Sequence, residues 1–174
     1  MNELISFLVG RLSPDYLPKD PVTIGAAIGM PLAALGLVVL VTYLRRWRWL
    51  WDNWLTSLDA KKIGVMYIVV AIVMLLRGVA DAAMLRLQTA IAANGAEGPF
   101  SSDTFQQVFT AHGTIMIFFV AMGLMFGLIN VVMPLMIGAR DMAFPLMNSI
   151  SLWLFVAGMI LVNVALVFGG FSNG

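Results

Sequence analysis

The single histidine of this sequence, His112, is the residue best suited to holding a metal, because a neutral imidazole is the commonest metal ligand and a regular axial ligand of haem iron. It stands near the start of the run from Phe109 to Pro134, which contains no charged residue. Its neighbours Ala111 and Gly113 are small and leave room for a bulky group beside the helix. The other interpretation is a histidine that only hydrogen-bonds to a carbonyl group of a neighbouring helix. The residues leave both interpretations open.

A second candidate site is the pair Arg77 and Asp81, in the stretch LLRGVADAAMLRLQ. Residues four apart share one face of a helix and can pair. An ionisable side chain inside a membrane is costly unless it is paired, so each one is a hypothesis of function. The pair is either a self-neutralised ion pair or the polar wall of a pocket for a head group or a redox carrier. Arg86 follows nine residues after Arg77, near the predicted membrane surface.

A third set of polar residues, Asn130, Asp141 and Asn148, surrounds the stretch INVVMPLMIGARDMAFPLMN. Two amides next to a carboxylate can line a water-filled path for protons, since amides order water without trapping charge. The simpler interpretation makes Asp141 the N-cap of a helix and Asn148 a hydrogen-bonding contact between helices.

The elements that must position these residues are membrane-spanning helices. The 174 residues are 61% hydrophobic and only 11% charged, whereas soluble domains carry about 25% charged residues. A span needs roughly 20 apolar residues, and its backbone must be paired internally, which requires a helix. Four segments qualify: Val22–Leu44, Ile63 to about Leu87, about Thr104 to Met136, and about Leu146–Phe168. The predicted fold is therefore an all-α membrane protein with four transmembrane helices.

Composition excludes several other classes of site. The absence of cysteine excludes disulfides and thiolate sites, and one histidine cannot complete a site of several His ligands. The net charge of +1 gives no reason to expect a nucleic-acid partner, and no nucleotide-binding loop, zinc-hydrolase helix or catalytic triad is present. The glycines at positions 123 and 127 indicate close helix packing rather than a phosphate loop.

Basic residues predict the orientation of these spans, because loops rich in Lys and Arg stay in the cytoplasm. Five basic residues lie in the segment 45–62, which also holds four tryptophans typical of a membrane interface, whereas none lies in 88–103. We therefore expect an outer N-terminal segment 1–21, a first transmembrane helix 22–44, a cytoplasmic loop 45–62, and a three-helix part 63–174. The His112 and Arg77 sites then lie in the outer half, and Asp141 faces the cytoplasm.

Three stretches, in this order, resemble subunit I of the haem–copper oxidases, and most closely its bo-type ubiquinol oxidase branch. They are WLTSLDAKKIGVMYIVVAIVMLLRGVADAAMLRLQ, FQQVFTAHGTIMIFF and INVVMPLMIGARDMAFPLMNSISLWL. The resemblance covers about residues 20–171, and the extra span before WLTS is also a feature of the quinol oxidases. It implies that the chain is the N-terminal part of a larger transmembrane helical bundle in the bacterial inner membrane.

The resemblance also implies a role for each candidate residue. His112 matches an axial ligand of the low-spin haem b, and Arg86 an arginine beside that haem. Arg77, Asp81 and Gln107 match residues that contact ubiquinol. Three residues match the mouth of the proton channel, with the carboxylate at its opening: Asn130, Asp141 and Asn148.

Two positions depart from the family pattern. Thr104 stands where the quinol site of this family usually has a histidine, and Ala60 replaces another histidine in WLTSLDAKKIG. The first departure leaves the quinol site incomplete, so a relative that oxidises cytochrome c remains an alternative. A small membrane scaffold or a transporter subunit without haem is a second alternative, in which the same ionisable residues join helices or line an ion path.

The resemblance implies that most of the oxygen chemistry lies outside this chain. The second ligand of the low-spin haem, the ligands of the high-spin haem and those of the copper belong to later helices of the family. We therefore expect an N-terminal fragment or truncated product that neither reduces oxygen nor pumps protons alone. Its expected partners are the remaining helices of subunit I, the other oxidase subunits, ubiquinol and membrane lipids.

Overall fold

The computed structural model describes residues 21–167, all of which lie in helices or in the connections between them. No strand occurs within this range, so the all-α class is confirmed. The expected outer segment 1–21 lies outside the described residues except for its last residue, and so does the expected end of the last span at Phe168. The helices are α1 Pro21–Tyr43, α2 Trp47–Leu50, α3 Ala60–Ala93, α4 Ser102–Thr114, α5 Met122–Met136 and α6 Pro145–Val167.

Three stretches of the described chain are long and apolar enough to cross a membrane. They are Ala60–Ala93, Ser102–Met136 and Pro145–Ala165, and α1 contributes a shorter apolar stretch, Pro31–Tyr43. These match the predicted second, third and fourth spans closely. The predicted number of four transmembrane helices is therefore reached only if α1 also crosses the membrane.

The helix α3 begins three residues before the predicted start at Ile63 because polar groups cap it. The Asp59 carboxylate accepts a hydrogen bond from the Lys61 N–H at 2.9 Å, which satisfies one of the backbone donors that a helix start leaves unpaired. At its other end α3 runs to Ala93 and stops at Gly95, whose φ of 76° is the left-handed conformation that glycine adopts without strain.

The third span is one continuous rod with a change of winding in its middle. Between α4 and α5 the seven residues Ile115–Ala121 form a π-helical segment. Such segments are rare and occur frequently at functional sites, because the wider turn rotates the residues on either side relative to each other. Here the segment begins three residues after His112.

The centre of the bundle is α3, which packs along the π-helical segment, α5 and α6. Its buried residues recur at intervals of three and four, as a helix packed against neighbours at a shallow angle requires. They are Ala60, Ile63, Gly64, Tyr67, Ala71, Met74, Gly78 and Asp81. This apolar stripe therefore ends at a buried carboxylate.

Two glycines allow α3 and α5 to approach closely. A Cβ atom added to Gly64 would lie 2.7 Å from the carbonyl oxygen of Gly127, and one added to Gly127 would lie 2.9 Å from that of Gly64. Because the obstacle is backbone in both cases, no side chain can move aside. Gly123 is equally tight against Phe155, so the predicted packing role of the glycines at 123 and 127 is confirmed.

The outer surface of the bundle is strongly apolar, as a lipid-embedded protein requires. Large hydrophobic side chains such as Leu76 and Phe118 are more than half exposed along every long helix. A soluble monomer rarely exposes contiguous apolar patches of this extent. The fold therefore positions its buried polar residues inside a shell that faces hydrocarbon.

The segment expected as a plain loop, 45–62, contains local helical structure. Trp47–Leu50 forms α2, and the next five residues, Trp51–Leu55, form a π-helical turn. The stretch of alternating arginine and tryptophan that predicted an interfacial loop thus contains a short helix and a π-helical turn.

Candidate functional site

The imidazole of His112 is anchored to a neighbouring helix through one of its two nitrogens. Its Nδ1 atom lies 3.0 Å from the carbonyl oxygen of Gly78 in α3. A carbonyl oxygen can only accept a hydrogen bond, so Nδ1 carries the proton and Nε2 keeps its lone pair. Metal-ligating histidines usually donate their other N–H group in this way, so the two interpretations of His112 do not exclude each other.

The helix α4 presents this histidine beside its buried face. Its start is capped by Ser101, whose hydroxyl oxygen accepts a hydrogen bond from the Thr104 N–H at 3.2 Å. Val108 and Ala111 then face the bundle core and are buried. His112 follows Ala111 at the edge of that face and is half-buried, with its ring directed to α3.

One turn of α3 carries the paired charges at this same level. Arg77 donates a hydrogen bond through Nη1 to Oδ1 of Asp81, and the side chains are 12% and 0% exposed. Gly78, which holds His112, lies between them in sequence. The predicted pairing is therefore confirmed, and α3 brings the pair and the histidine to one end of the bundle.

The pairing of Arg77 with Asp81 leaves part of each side chain unsatisfied. Three buried atoms have no hydrogen-bond partner among the residues that the structure describes: Nε and Nη2 of Arg77 and Oδ2 of Asp81. Buried polar atoms of native proteins are nearly always hydrogen-bonded, and each exception requires an explanation. Two donors and one acceptor thus remain side by side for a polar ligand.

The other residues expected at this end lie close to the pair in the helix register. Gln107 is half-buried and stands one turn before Ala111, on the side of α4 that faces the core. Thr104, at the position of the expected histidine, is half-buried and its hydroxyl lies 2.9 Å from that of Ser101. Arg86 is exposed and lies eight residues beyond Gly78, which is about 12 Å along α3 and some 80° around it.

Gln88, which no sequence pattern distinguishes, holds the connection between α3 and α4 at this end of the bundle. Its amide nitrogen donates to the Phe100 carbonyl at 3.3 Å, and its amide oxygen accepts from the Phe100 N–H at 3.0 Å. Phe100 itself is buried. The two hydrogen bonds tie the end of α3 to the residues that lead into α4.

At the opposite end of the bundle, Asp141 links two connections. Its Oδ1 atom accepts hydrogen bonds from the N–H of Ala60, at 3.0 Å, and of Met142, at 2.8 Å. The first places a carboxylate at the start of α3, where it complements the helix dipole. Asp141 therefore caps a helix, as the simpler interpretation proposed, but the helix belongs to a distant part of the chain. Its Oδ2 atom is not used in either bond.

The two asparagines meet next to this end. Asn148 of α6 donates through Nδ2 to Oδ1 of Asn130 in α5. Asn130 is buried and its own amide nitrogen donates to the Phe126 carbonyl at 2.9 Å. The contact between helices that the sequence suggested for Asn148 is therefore present.

Two further polar residues continue this line, and the sequence analysis did not select them. The Ser151 hydroxyl donates to the Asn148 carbonyl at 2.8 Å, and the Tyr67 hydroxyl lies 2.9 Å from Ser151 Oγ. Tyr67 is buried in the central stripe of α3. The signal was available, since Tyr67 interrupts an apolar helix face and Ser151 lies three residues from Asn148.

The two ends are separated by the length of α3. Ala60, which binds Asp141, and Arg77 are 17 residues apart, or about 26 Å along the helix. The structure thus brings His112, Arg77 and Asp81 together at one end and Asn130, Asp141 and Asn148 at the other. Within residues 21–167 no group of three or more His, Cys, Asp or Glu side chains forms a metal site.

The sequence matches a known family over most of its length. The model of the family described as cytochrome c and quinol oxidase polypeptide I matches residues 62–174. The chain belongs to this family. The predicted resemblance is therefore confirmed, and the four helices that carry the polar residues, α3 to α6, lie in the matched region except for the first two residues of α3.

Similar proteins support the quinol oxidase branch of the family. The chain is 47% identical over 167 residues to a protein of Acetobacter aceti named ubiquinol oxidase subunit 1, with 95% of this chain and 25% of the relative covered. It is 44% identical over 158 residues to quinol oxidase subunit 1 of Bacillus spizizenii, with 91% and 24% covered. A probable quinol oxidase subunit 1 of Staphylococcus haemolyticus is 49% identical over 145 residues, with 83% and 22% covered.

The chain spans about a quarter of the length of the curated relatives it matches. Family membership and the apolar helices together identify it as a multi-pass protein of the bacterial inner (cell) membrane. The alternatives of a haem-free scaffold or transporter subunit are not supported by these similarities.

Proposed function

We propose that this chain is part of subunit I of a terminal respiratory oxidase that couples ubiquinol oxidation to the reduction of oxygen to water and to proton translocation. The observation that carries the proposal is the buried Arg77–Asp81 pair with its three unsatisfied polar atoms. Two donors and one acceptor of this buried pair have no partner within residues 21–167, so they are available to a polar ligand of the complete protein.

The chemistry of the pair suits a quinol. A quinol hydroxyl can donate to Oδ2 of Asp81, and the N–H groups of Arg77 can donate to a quinol oxygen. As the quinol is oxidised, its hydroxyl protons must leave, and a carboxylate within hydrogen-bonding reach is a suitable general base. Gln107, which is half-buried in α4, would supply a further polar contact.

His112 is suited to hold a low-spin haem b through Nε2. The structure supports the fit, because the bond from Nδ1 to Gly78 fixes both the tautomer and the plane of the ring. A bound haem supplies one-electron redox chemistry and apolar surface to be buried among the helices. His112 would hold the iron, with Gly78 orienting its ring, and Arg86 would supply a positive charge for an anionic group of the cofactor.

The line of polar groups at the other end is suited to proton uptake. Asp141 accepts hydrogen bonds from Ala60 and Met142 through Oδ1, which leaves Oδ2 outside both bonds. Asn130, Asn148, Ser151 and Tyr67 are linked by hydrogen bonds into the bundle. Such side chains order water without holding a charge, so they can guide protons inward from Asp141.

We further propose the topology that this chemistry requires. An outer segment 1–21 precedes an extra transmembrane helix 22–44, the loop 45–62 is cytoplasmic, and 63–174 begins the oxidase core with three transmembrane helices. The hydrogen bond from Ala60 to Asp141 supports this arrangement, because it joins the two basic connections at one end.

The oxygen-reducing centre, with its high-spin haem and copper, is assigned to the part of subunit I that this chain does not include. The partners of the chain are then those remaining helices, the other oxidase subunits, membrane lipids and ubiquinol. The chain alone is expected to be inactive.

The electron donor is tested by replacing Arg77 with glutamine in the complete oxidase and measuring turnover with ubiquinol and with cytochrome c. Arg77→Gln should abolish ubiquinol turnover, whereas Arg48→Gln, a matched loss of charge at the other end of the bundle, should not. Turnover with cytochrome c in both proteins, and no dependence on Arg77, would identify the family's other donor instead.

A further inference from the structure

An apolar groove lies at the same end of the bundle as Asp141, on its outside. It has a volume of about 420 Å³, within the range of roughly 300–1,000 Å³ that is typical of ligand sites. Its walls are the segment that follows α1, the first turns of α3 and the middle of α6. The central lining residues are Trp49, Trp54, Val65, Val69, Trp153 and Val156.

A positive charge lies beside one wall of this groove. The guanidinium group of Arg46 lies 6.0 Å from the centre of the Trp49 ring, in the range of a cation–π contact. The rings of Trp49 and Trp54, which both line the groove, lie 6.3 Å apart between their centres. An exposed guanidinium group thus stands next to the aromatic wall of this apolar slot.

The turn that precedes Arg46 has an unusual backbone. The Arg45 N–H donates to the Thr42 carbonyl at 3.0 Å, the Arg46 N–H donates to the Val41 carbonyl at 3.1 Å, and Arg45 has a φ of 51°. This is the Schellman pattern that ends many helices, and its left-handed position is usually glycine.

Two other helices of this chain end in the same pattern with glycine at the left-handed position. Gly95, with φ 76°, ends α3 with the same two backbone hydrogen bonds, and Gly138, with φ 68°, ends α5 in the same way. Only Arg45, among the described residues, takes this conformation with a side chain. A left-handed arginine is strained relative to glycine, and such strain is a reason to look for a function of its charge.

Another arginine of the segment provides a comparison. Arg48 lines a separate pocket with Trp47, Trp51 and the acidic Asp52. Arg46 and Arg48 are both exposed and equally charged, but it is Arg46 that has a cation–π contact with a tryptophan of the groove. The positive charge beside the groove is therefore that of Arg46, and Arg45 precedes it in the turn.

We propose that this groove is a binding site for one anionic phospholipid, with an acyl chain in the slot and the phosphate at the Arg45–Arg46 turn. Both parts of such a lipid have a counterpart here. Burial of each methylene group of the acyl chain in the apolar slot favours binding, and so does the attraction between each basic residue and the anionic head group. The tryptophans at the slot suit the interfacial depth where a head group meets its acyl chains. This site does not depend on the quinol or proton roles proposed above.

The competing occupant is a segment of the rest of subunit I, and the experiment must separate the two. The complete oxidase is purified in detergent, stripped of lipid, and titrated with phosphatidylglycerol or with phosphatidylcholine of the same acyl chains. Bound lipid is counted by native mass spectrometry. The variants are Arg46→Gln, Arg45→Gly, Val69→Phe and the control Arg48→Gln.

We expect Arg46→Gln to weaken phosphatidylglycerol binding about fivefold and to weaken phosphatidylcholine binding less, because the choline cation offsets the charge of its phosphate. Arg45→Gly should raise thermal stability, because it relieves the strained turn, and yet weaken phosphatidylglycerol binding. Val69→Phe, which fills the slot at an exposed position, should weaken binding of both lipids. Equal effects of Arg46→Gln and Arg48→Gln, or unchanged lipid binding in Val69→Phe, would overturn the proposal and assign the groove to protein.

Discussion

The carbonyl oxygen of Gly78 and the Nδ1 atom of His112 lie 3.0 Å apart, and this one contact joins the two helices that carry the outer candidate site. Gly78 is flanked in α3 by the turn that contains Arg77 and Asp81. The backbone group that fixes the imidazole is therefore part of the same helical turn as the buried ion pair. A substitution in the ion pair should therefore alter the position of the His112 ring, and a substitution of His112 should alter the ion pair.

The ion pair itself should behave as a unit in stability measurements. Removing one partner of a buried pair leaves an uncompensated charge and costs roughly 3–5 kcal/mol, whereas replacing both by apolar residues is often neutral. We expect the complete oxidase to lose stability in Arg77→Leu and in Asp81→Leu, and to recover most of it in the double variant. Thermal unfolding in detergent measures all three.

The double variant also separates structure from function. It should remain folded and yet be unable to oxidise ubiquinol, since both polar groups are gone. A stable double variant with full quinol turnover would show that the pair is only structural.

Asp141 has a structural and a proposed chemical role that a single substitution can distinguish. Asparagine keeps an oxygen that can accept from Ala60 and Met142, so Asp141→Asn should fold normally. It cannot take up a proton, so turnover and proton release by the complete oxidase should fall severely. Proton release is measured with a pH dye in vesicles.

Asp141→Ala is the matched comparison, because it removes the acceptor as well. It should additionally cost about 1 kcal/mol, the usual effect of losing a helix cap. If Asp141→Asn pumps protons at the normal rate, the carboxylate is a cap and nothing more.

Close packing of α3 on α5 predicts a third result. Gly127→Ala brings a methyl group against the Gly64 backbone, and overpacking of this kind typically costs 1–3 kcal/mol. Gly36→Ala in α1 is the control, because a Cβ atom there meets nothing within 4 Å. The melting temperature should fall for the first variant only, and equal temperatures would mean that the helices are farther apart than described.

The sequence predicts the helices of this structure well, and it does not predict the hydrogen bonds between distant parts of the chain. The long helices follow from apolar composition, and their bounds agree within a few residues except where caps act. The early start of α3 depends on the Asp59 cap and on the hydrogen bond that the Ala60 N–H donates to Asp141. Asp141 lies 81 residues further along the chain. Such long-range caps have no local signal.

The contacts of the candidate site residues also divide into those that sequence spacing predicts and those that depend on how the helices pack. The Arg77–Asp81 contact was predictable because spacing within one helix is fixed. The partner of His112 is a backbone carbonyl of another helix, and every residue has such a group, so no sequence pattern identifies Gly78. Tyr67 and Ser151 stand out only as polar residues of apolar helices, and their contact with each other forms when α3 and α6 pack together. The π-helical segment after His112 likewise has no recognised sequence signature.

The clamp formed by Gln88 predicts an effect on the outer connection. Gln88→Glu keeps an acceptor for the Phe100 N–H but loses the donor to its carbonyl, and Gln88→Ala loses both bonds. Each lost bond should cost about 1 kcal/mol locally. Hydrogen exchange of residues 94–101 in the complete oxidase should therefore increase in the order wild type, Gln88→Glu, Gln88→Ala.

A hydrogen-exchange rate of residues 94–101 that is the same in all three proteins would contradict the stabilising role of the two Gln88 hydrogen bonds. Thr89→Ala is a suitable control, since its hydroxyl bonds only to carbonyls of its own helix. It should leave exchange in the connection as it is.

The proposed ligation of haem iron by Nε2 of His112 is tested by the reduced-minus-oxidised optical spectrum of the complete oxidase carrying His112→Ala. Thr114→Ala, two residues along the same rod, serves as the control for folding and subunit assembly. The low-spin haem bands should disappear in His112→Ala and persist in Thr114→Ala. Low-spin bands of unchanged position and intensity in an assembled His112→Ala oxidase would contradict it.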